Sequence, residues 1–276
     1  MEGNDCYKFS TIRNFIARSR AKDVETIVEI GANIGEVTLL MHAYFPAAKI
    51  IAFEAVKEYC DIAVARTRKI QNVAVHNMAV TAQHRFRDDL GAERRAADID
   101  LVILKGLPDG GPGWVGGSMV FPLDERRVAD PDDHYGYLKI DQAVTPITLA
   151  EIMAQEDLAA IDILKLDCEG CEHSVLGTAE ADVLKRIRFI VGEYHGFDRF
   201  TAVMRNRLFA THKVNLVGDR EIGCFFAERR EEGGDGVLHD DRVYIPVPWP
   251  SDTPAEWHAF NARYVSPHER YCHGLA

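Results

Sequence analysis

Positive charge is scarce in this chain. Across 276 residues, 32 Lys and Arg stand against 43 Asp and Glu, a formal net charge of −11. A general nucleic-acid or membrane-surface binder needs a basic face to meet phosphates, so neither class suits the whole chain. The one cluster of arginines, Arg85, Arg87, Arg94 and Arg95, is offset by Asp88, Asp89 and Glu93 and reads as a solvated loop. No apolar run reaches the roughly 18 residues that a membrane span requires. An apolar signal core is lacking too, since Met1-Glu2-Gly3-Asn4-Asp5 is acidic and polar, and a cytoplasmic protein is expected. Cysteine is sparse. Cys6, Cys60, Cys168, Cys171, Cys224 and Cys272 are expected to be free thiols in a reducing compartment. Cys168-Glu169-Gly170-Cys171 has metal-type spacing, but no second C-x-x-C completes a zinc site. No internal repeat is present.

Apolar residues make up 47% of the chain, enough for a sizeable core. The organising stretch runs from Thr26 to Leu40. A β-branched strand, Thr26-Ile27-Val28-Glu29-Ile30, enters the turn Gly31-Ala32-Asn33-Ile34-Gly35, which opens into an amphipathic helix. Gly31 takes backbone angles closed to other residues and lets a ligand approach the main chain. Gly35 is expected to let the helix start pack close to the strand. Free N–H groups at a helix start can hold a polar or anionic group. Strand, glycine turn and helix together predict the nucleotide-binding opening of a doubly wound α/β fold.

The following residues narrow the ligand. Lys49-Ile50-Ile51-Ala52-Phe53-Glu54 reads as a second strand ending in a carboxylate, 23 residues after Gly31, where it can accept both ribose hydroxyls of an adenosine. Ala32 stands where G-x-G-x-x-G places the glycine that admits a pyrophosphate. Glu29, two residues before Gly31, is placed to meet an ammonium group. These details favour S-adenosylmethionine over a dinucleotide. Ala55 continues the Glu54 turn, and Met78 and Ala79, at the end of a third strand over 72–80, are expected to border the adenine.

The remainder is less regular. A helix over 7–20 is expected to cover the sheet edge or the cofactor. Residues 81–147 read as an insertion or lid, with one clear strand at 99–104 and a Gly/Pro-rich loop carrying Trp114. Asp130-Pro131-Asp132-Asp133-His134-Tyr135 reads as an acidic turn, with a metal site as the minority alternative. Thr148 is expected to cap a helix, with Glu151 as its capping-box partner. Next comes Ile161-Asp162-Ile163-Leu164-Lys165-Leu166-Asp167-Cys168-Glu169-Gly170-Cys171-Glu172, a buried strand ending in carboxylates before a helix over 172–184. Acids at the C-terminal ends of such strands are where a doubly wound fold does its chemistry. A strand over 187–195 delivers Glu193 and His195 on one face. A helix over 198–211 and a closing hairpin, 213–218 with 222–228, complete a domain spanning 1–228. An aromatic extension, 229–276, is expected to pack on the same domain and is a candidate homodimer contact.

Val28-Glu29-Ile30-Gly31-Ala32-Asn33-Ile34-Gly35, Ala52-Phe53-Glu54 and the Ile161–Glu172 stretch with Val175-Leu176-Gly177 resemble the FkbM family of S-adenosylmethionine-dependent methyltransferases. The resemblance covers roughly residues 24–195. Its most diagnostic part is a strand running into K-x-D-x-E-G-x-E, met here by Lys165, Asp167, Glu169, Gly170 and Glu172. Cys168 and Cys171 depart from the small or aliphatic residues of that pattern, and Val56 replaces a common proline. The resemblance implies a Rossmann-like class I methyltransferase sheet of about seven mostly parallel strands, and methyl transfer to a hydroxyl of a small molecule such as a sugar or polyketide.

A hydroxyl acceptor needs a group to take its proton. Asp167, Glu169, Glu193 and His195 are the candidates, and Asp167 is also a candidate cofactor contact; the structural alternatives are a helix cap for Asp167, a hydrogen-bonded role for His195, and dipole-stabilising acids at Glu169 and Glu172. A divalent cation held by these acids is a minority alternative. Against this reading stand an NAD-linked oxidoreductase, a nucleic-acid methyltransferase (disfavoured by charge and by the lack of an N-P-P-Y-type motif), and a binding protein without catalysis.

Overall fold

The computed structural model describes residues 23–81, 85–87, 93–95, 100–104, 118–121, 137–140, 144–195, 197–218 and 222–230. The expected helix over 7–20, the Trp114 loop, the Asp130–Tyr135 turn and the aromatic extension lie outside the described residues. Strand β1 (Thr26–Ile30) leads into helix α1 (Glu36–Tyr44), then β2 (Lys49–Phe53), α2 (Lys57–Thr67), β3 (Val73–His76) and β4 (Met78–Val80). Six short strands follow: β5 (Arg85–Arg87), β6 (Glu93–Arg95), β7 (Asp100–Leu104), β8 (Ser118–Phe121), β9 (Tyr137–Ile140) and β10 (Thr145–Ile147). The chain then forms α3 (Leu149–Gln155), β11 (Ile161–Leu166), α4 (Cys171–Thr178), α5 (Ala181–Lys185), β12 (Ile187–His195) and α6 (Phe197–Val203). A π-helical turn, Met204–Leu208, precedes β13 (His212–Gly218) and β14 (Ile222–Arg229).

Seven strands form the central sheet, in the order β13-β14-β12-β11-β1-β2-β3. All neighbours from β12 to β3 pair parallel, and β14 alone runs against the rest. The parallel strands are nearly continuous apolar runs, as burial on both faces demands. Alternate residues feed two cores. Val28, Ile30, Leu164 and Leu166 point to one, and Ile27, Ile50 and Ile163 join Leu40 and Met41 of α1 in the other. The strand order reverses between β1 and β11, so the loops after these two strands open side by side, as at the binding crevice of a doubly wound fold.

Several sequence boundaries shift. The strand expected over 72–80 is two strands: β3 ends the large sheet, and β4 leaves it to pair with β10. The break falls at Asn77, whose side-chain amide donates to the carbonyls of Glu54 and Ala55 at 2.9 Å each and draws the chain toward the glycine turn. The helix expected over 172–184 is α4 and α5, separated where Ala179 turns extended. Among the described residues the insertion holds five strands besides the predicted one at 99–104, and Arg85, Arg87, Arg94 and Arg95 lie on the antiparallel pair β5 and β6 rather than in a loop. Thr148 caps α3 as expected: Glu151 N–H donates to its Oγ1 at 3.2 Å, and Thr148 N–H donates to Glu151 Oε2 at 2.8 Å.

Candidate active site

The glycine turn is fixed from two sides. Gly31 and Ala32 N–H both donate to the Phe53 carbonyl, at 2.9 and 3.0 Å, which ties the turn to the end of β2. Glu54 then bridges two loops: Asn33 N–H donates to its Oε2 at 2.7 Å and Val56 N–H to its Oε1 at 2.8 Å. Burial raises the Glu54 pKa, and these backbone donors counter the rise in part. On the other side, Asp167 N–H donates to the Ile30 carbonyl at 3.1 Å, and Lys165 Nζ donates to the Gly31 carbonyl at 2.8 Å. Gly31 has φ +77°, and a Cβ built there would stand 1.8 Å from the Asp167 carbonyl oxygen. The turn is therefore glycine for two reasons, its left-handed backbone and its contact with the chain leaving β11.

Lys165 also faces Glu29 directly across the β1–β11 register. Its Nζ lies 3.3 Å from Glu29 Oε1 and 3.8 Å from Asp167 Oδ2. Glu29 is 0% exposed, on the sheet face covered by α1, and accepts from Thr38 Oγ1 at 2.5 Å. Burial raises the Glu29 pKa against the pull of Lys165.

Beyond Asp167 the chain turns sharply. Glu169 adopts φ +53° and Gly170 φ +104°, both left-handed. Cys168 and Cys171 are joined by a disulfide, which corrects the expectation of free thiols at these two positions. Cys60 and Cys224 are not disulfide-bonded, as expected, and both are buried, whereas Cys6 and Cys272 lie outside the described residues. Glu172, fully buried at the start of α4, is more than a dipole-stabilising acid. Its Oε2 accepts from Gly170 N–H at 2.8 Å, and its Oε1 accepts from His195 N–H at 2.8 Å and His195 Nδ1 at 3.1 Å.

His195 is thus surrounded by carboxylates. Its Nε2 stands 3.0 Å from Glu169 Oε2 and 3.8 Å from Glu193 Oε2. The 3.0 Å approach is off the N–H direction, so it is an ion pair rather than an aligned hydrogen bond. Burial alone would lower the imidazole pKa, but the close Glu169 carboxylate and the hydrogen bond and charge of Glu172 outweigh it and push it up to about 11. At neutral pH the ring is an imidazolium that holds Glu169, and in that state it has no lone pair to act as a base. Glu169, Glu193 and His195 each offer an atom within 4.8 Å of the others, the spacing that the metal alternative would use.

The stability contribution of His195 has a definite sign. In the unfolded chain the ring titrates near 6.5, so below that pH both states hold the proton and the contribution is whole. As pH rises from 6.5 toward 11, the unfolded chain gives up its proton while the folded chain keeps it, and the contribution drains away. Urea melts from pH 7.5 to 9.5 should show the native chain losing stability faster than His195→Gln, by up to about 1.4 kcal/mol per pH unit. Parallel curves for the two proteins would contradict the ion-paired imidazolium.

Several of these groups line a cleft with about 570 Å³ of empty space including its open mouth. It is lined by Ile30, Gly31, Asn33, Phe53, Glu54, Ala55, Met78, Ala79, Val80, Asp167, Cys168, Glu169 and Cys171. Of the residues picked from sequence, Gly31, Asn33, Glu54, Ala55, Met78, Ala79, Asp167 and Glu169 meet here. Glu29 does not line the cleft, because its side chain points to the α1 face and pairs with Lys165. Ala32 is buried behind the turn. Gly35, at φ +85°, packs against Ala63 of α2 rather than against the strand, with a built Cβ 3.1 Å from the Ala63 methyl. His195 and Glu193 stand behind Glu169, off the cleft wall. Sequence reasoning missed Lys165 and Glu172 as organisers; both were visible as charged residues in apolar surroundings, which seldom stay unpaired.

The chain is similar in sequence to known proteins. Residues 29–216 match the methyltransferase FkbM domain. Over 184 residues the chain is 28% identical to 31-O-demethyl-FK506 methyltransferase FkbM of Streptomyces tacrolimicus, covering 63% of this chain and 66% of that one. It is 26% identical over 186 residues to methyltransferase sdnD of Sordaria araneosa, covering 60% and 65%. The chain thus spans just under two thirds of the length of the curated relatives it matches. Among solved structures, the precorrin-6y C5,15-methyltransferase of Geobacter metallireducens GS-15 aligns with a TM-score of 0.40 at 12% identity, covering 79% of this chain and 87% of that one. Because the FkbM domain takes in more than half of the chain, the protein belongs to the FkbM methyltransferase family.

Proposed function

We propose that the cleft binds S-adenosylmethionine and that the protein methylates a hydroxyl of a small molecule seated at the Asp167–Glu169 end. The observation that carries this reading is the charge of the lining. Three carboxylates, Glu54, Asp167 and Glu169, face a space otherwise lined, among the described residues, by Asn33, apolar side chains and backbone, with no Lys or Arg. Such a wall attracts a donor bearing sulfonium and ammonium charges and repels the pyrophosphate of a dinucleotide. The open left-handed backbone at Gly31 lets the donor lie against the main chain. Ile30, Phe53, Met78 and Val80 supply the flat apolar surface that an adenine needs.

When bound, the donor supplies a methyl group already activated on sulfur, so alignment of the acceptor is the protein's main task. Glu54 is held by two backbone donors and keeps lone pairs for ribose hydroxyls. Asp167 sits beside the Gly31 turn, where a carboxylate steadies positive charge on the donor. Glu169 stands farther out, positioned by its ion pair with His195, and takes the acceptor's proton as its oxygen turns nucleophilic. The chain's strong negative charge disfavours a nucleic-acid acceptor.

Calorimetric titration with S-adenosylhomocysteine and with NAD separates the cofactor classes: binding of the former alone is expected. Labelled methyl transfer to a panel of hydroxylated small molecules, with bulk RNA and DNA alongside, then tests the acceptor. Glu169→Gln should lower kcat by about 10²-fold or more while retaining S-adenosylhomocysteine affinity. Binding of NAD, or label entering only nucleic acid, would overturn the reading.

A further inference from the structure

The bridge between Cys168 and Cys171 takes no part in the function proposed above, yet it sits in the cleft. Both cysteines line the wall, one directly after Asp167 and the other at the first position of α4. A disulfide stabilises a fold mainly by closing a long loop in the unfolded chain, and this one closes the short stretch from 168 to 171. Its effect is local. Inside the ring it makes are Glu169 and Gly170, both with left-handed backbone. A glutamate held at φ +53° relaxes when its surroundings allow, because L side chains disfavour that region.

The two sulfurs differ in a way that gives the bridge a direction. Cys168 is half-buried and faces the cleft, so an incoming thiolate can reach it. Cys171 is only 6% exposed, and its place at the N-terminal turn of α4 favours a departing thiolate. Glu172 Oε2 lies 3.9 Å from Cys168 Sγ and disfavours negative charge on that sulfur instead. The other described cysteines do not compete: Cys224 is 3% exposed, and burial pushes the Cys60 thiol up to about 11. C-x-x-C pairs at helix starts are the arrangement in which thiol–disulfide exchange is fast.

We propose that Cys168 is a thiol–disulfide exchange site within the donor cleft, and that opening its bond to Cys171 frees the Glu169–Gly170 turn and weakens donor binding. The second half rests on the reading of the cleft as the S-adenosylmethionine site. A dithiol reductant supplies the electrons. One of its thiolates attacks Cys168 Sγ, the Cys168–Cys171 bond breaks, and Cys171 departs as a thiolate. The reductant's second thiol then attacks its own sulfur in the mixed disulfide and releases Cys168. The protein gains two electrons and two protons, and the reductant ends as a disulfide. Oxidised glutathione reverses the exchange.

The test uses the full chain, folded, in excess dithiothreitol, followed by alkylation and peptide mass mapping. Labels are expected on Cys168 and Cys171 and none on Cys60 or Cys224. Circular dichroism of the same sample checks that the fold is kept. S-adenosylhomocysteine affinity, read by calorimetry, should fall about tenfold on reduction, the scale of ordinary coupling between sites, and return after oxidised glutathione. Cys168→Ser/Cys171→Ser should show the weaker affinity in both redox buffers. Labelling only after denaturation would overturn the exchange site. Complete exchange with unchanged affinity would overturn its link to the donor. Exchange in a protein that binds S-adenosylhomocysteine in neither state would remove the donor reading and leave the exchange site standing.

Discussion

Lys165→Met is expected to lower stability by about 3–5 kcal/mol at neutral pH, the cost of stranding a buried charge. Lys165 is 3% exposed, and its ammonium serves three oxygens: the Gly31 carbonyl, Glu29 Oε1 and Asp167 Oδ2. Methionine fills the volume but leaves Glu29, at 0% exposure, with the Thr38 hydroxyl as its remaining polar partner among the contacts described above. The carboxyl responds by holding its proton. Burial already raises its pKa, and without Lys165 the Thr38 hydrogen bond alone offsets that rise among the contacts described above. A carboxyl whose folded pKa exceeds its unfolded value contributes stability at acid pH that is lost as pH climbs. The deficit of Lys165→Met should therefore be smaller near pH 5 than near pH 8. Adding Glu29→Gln removes the stranded charge and should restore most of the loss. Urea melts of native, single and double variants at both pH values decide the matter. Equal stability of the single and double variants would mean that Glu29 does not depend on Lys165.

That pair marks where reading along the chain runs out. The glycine turn, Glu54 and the Asp167–Glu172 string are each local, written within a few residues, and all three were legible and meet at one cleft. The pairing of Glu29 with Lys165 spans 136 positions and depends on β1 and β11 being neighbours in one register. From sequence, Glu29 looked aimed at the ligand because it lies two residues before Gly31. Strand alternation sends it the other way, onto the face with Ile27 and under α1. The place of His195 at the end of its strand was legible, but the carboxylates that charge it come from the loop and helix start after β11. The split of the third strand hinged on Asn77, whose amide reaches carbonyls 22 and 23 residues earlier. The bridge between Cys168 and Cys171 was visible only as a spacing, which suits a metal, a disulfide or neither.

Gly31→Ala should be the most damaging change at the cleft that adds a single carbon. The added Cβ would stand 1.8 Å from the Asp167 carbonyl oxygen and 2.8 Å from its carbonyl carbon, both backbone atoms that cannot swing aside. The φ of +77° adds the penalty of a left-handed alanine. Together these cost about 2–5 kcal/mol, from strain and overpacking combined. Relief requires the glycine turn or the Asp167–Cys168 segment to retreat, and either retreat moves one wall of the cleft. S-adenosylhomocysteine affinity is then expected to fall by about 10²-fold or more, as a displacement of about 1 Å at a site can cost. Gly35→Ala separates the two causes. Its φ of +85° imposes a comparable backbone penalty, but its Cβ meets the Ala63 methyl at 3.1 Å on the side away from the cleft. That variant should lose stability yet bind S-adenosylhomocysteine within a few-fold of the native chain. Denaturant melts and calorimetry on both variants give the comparison. If Gly31→Ala binds as tightly as Gly35→Ala, close packing of the turn against Asp167 does not shape the donor site.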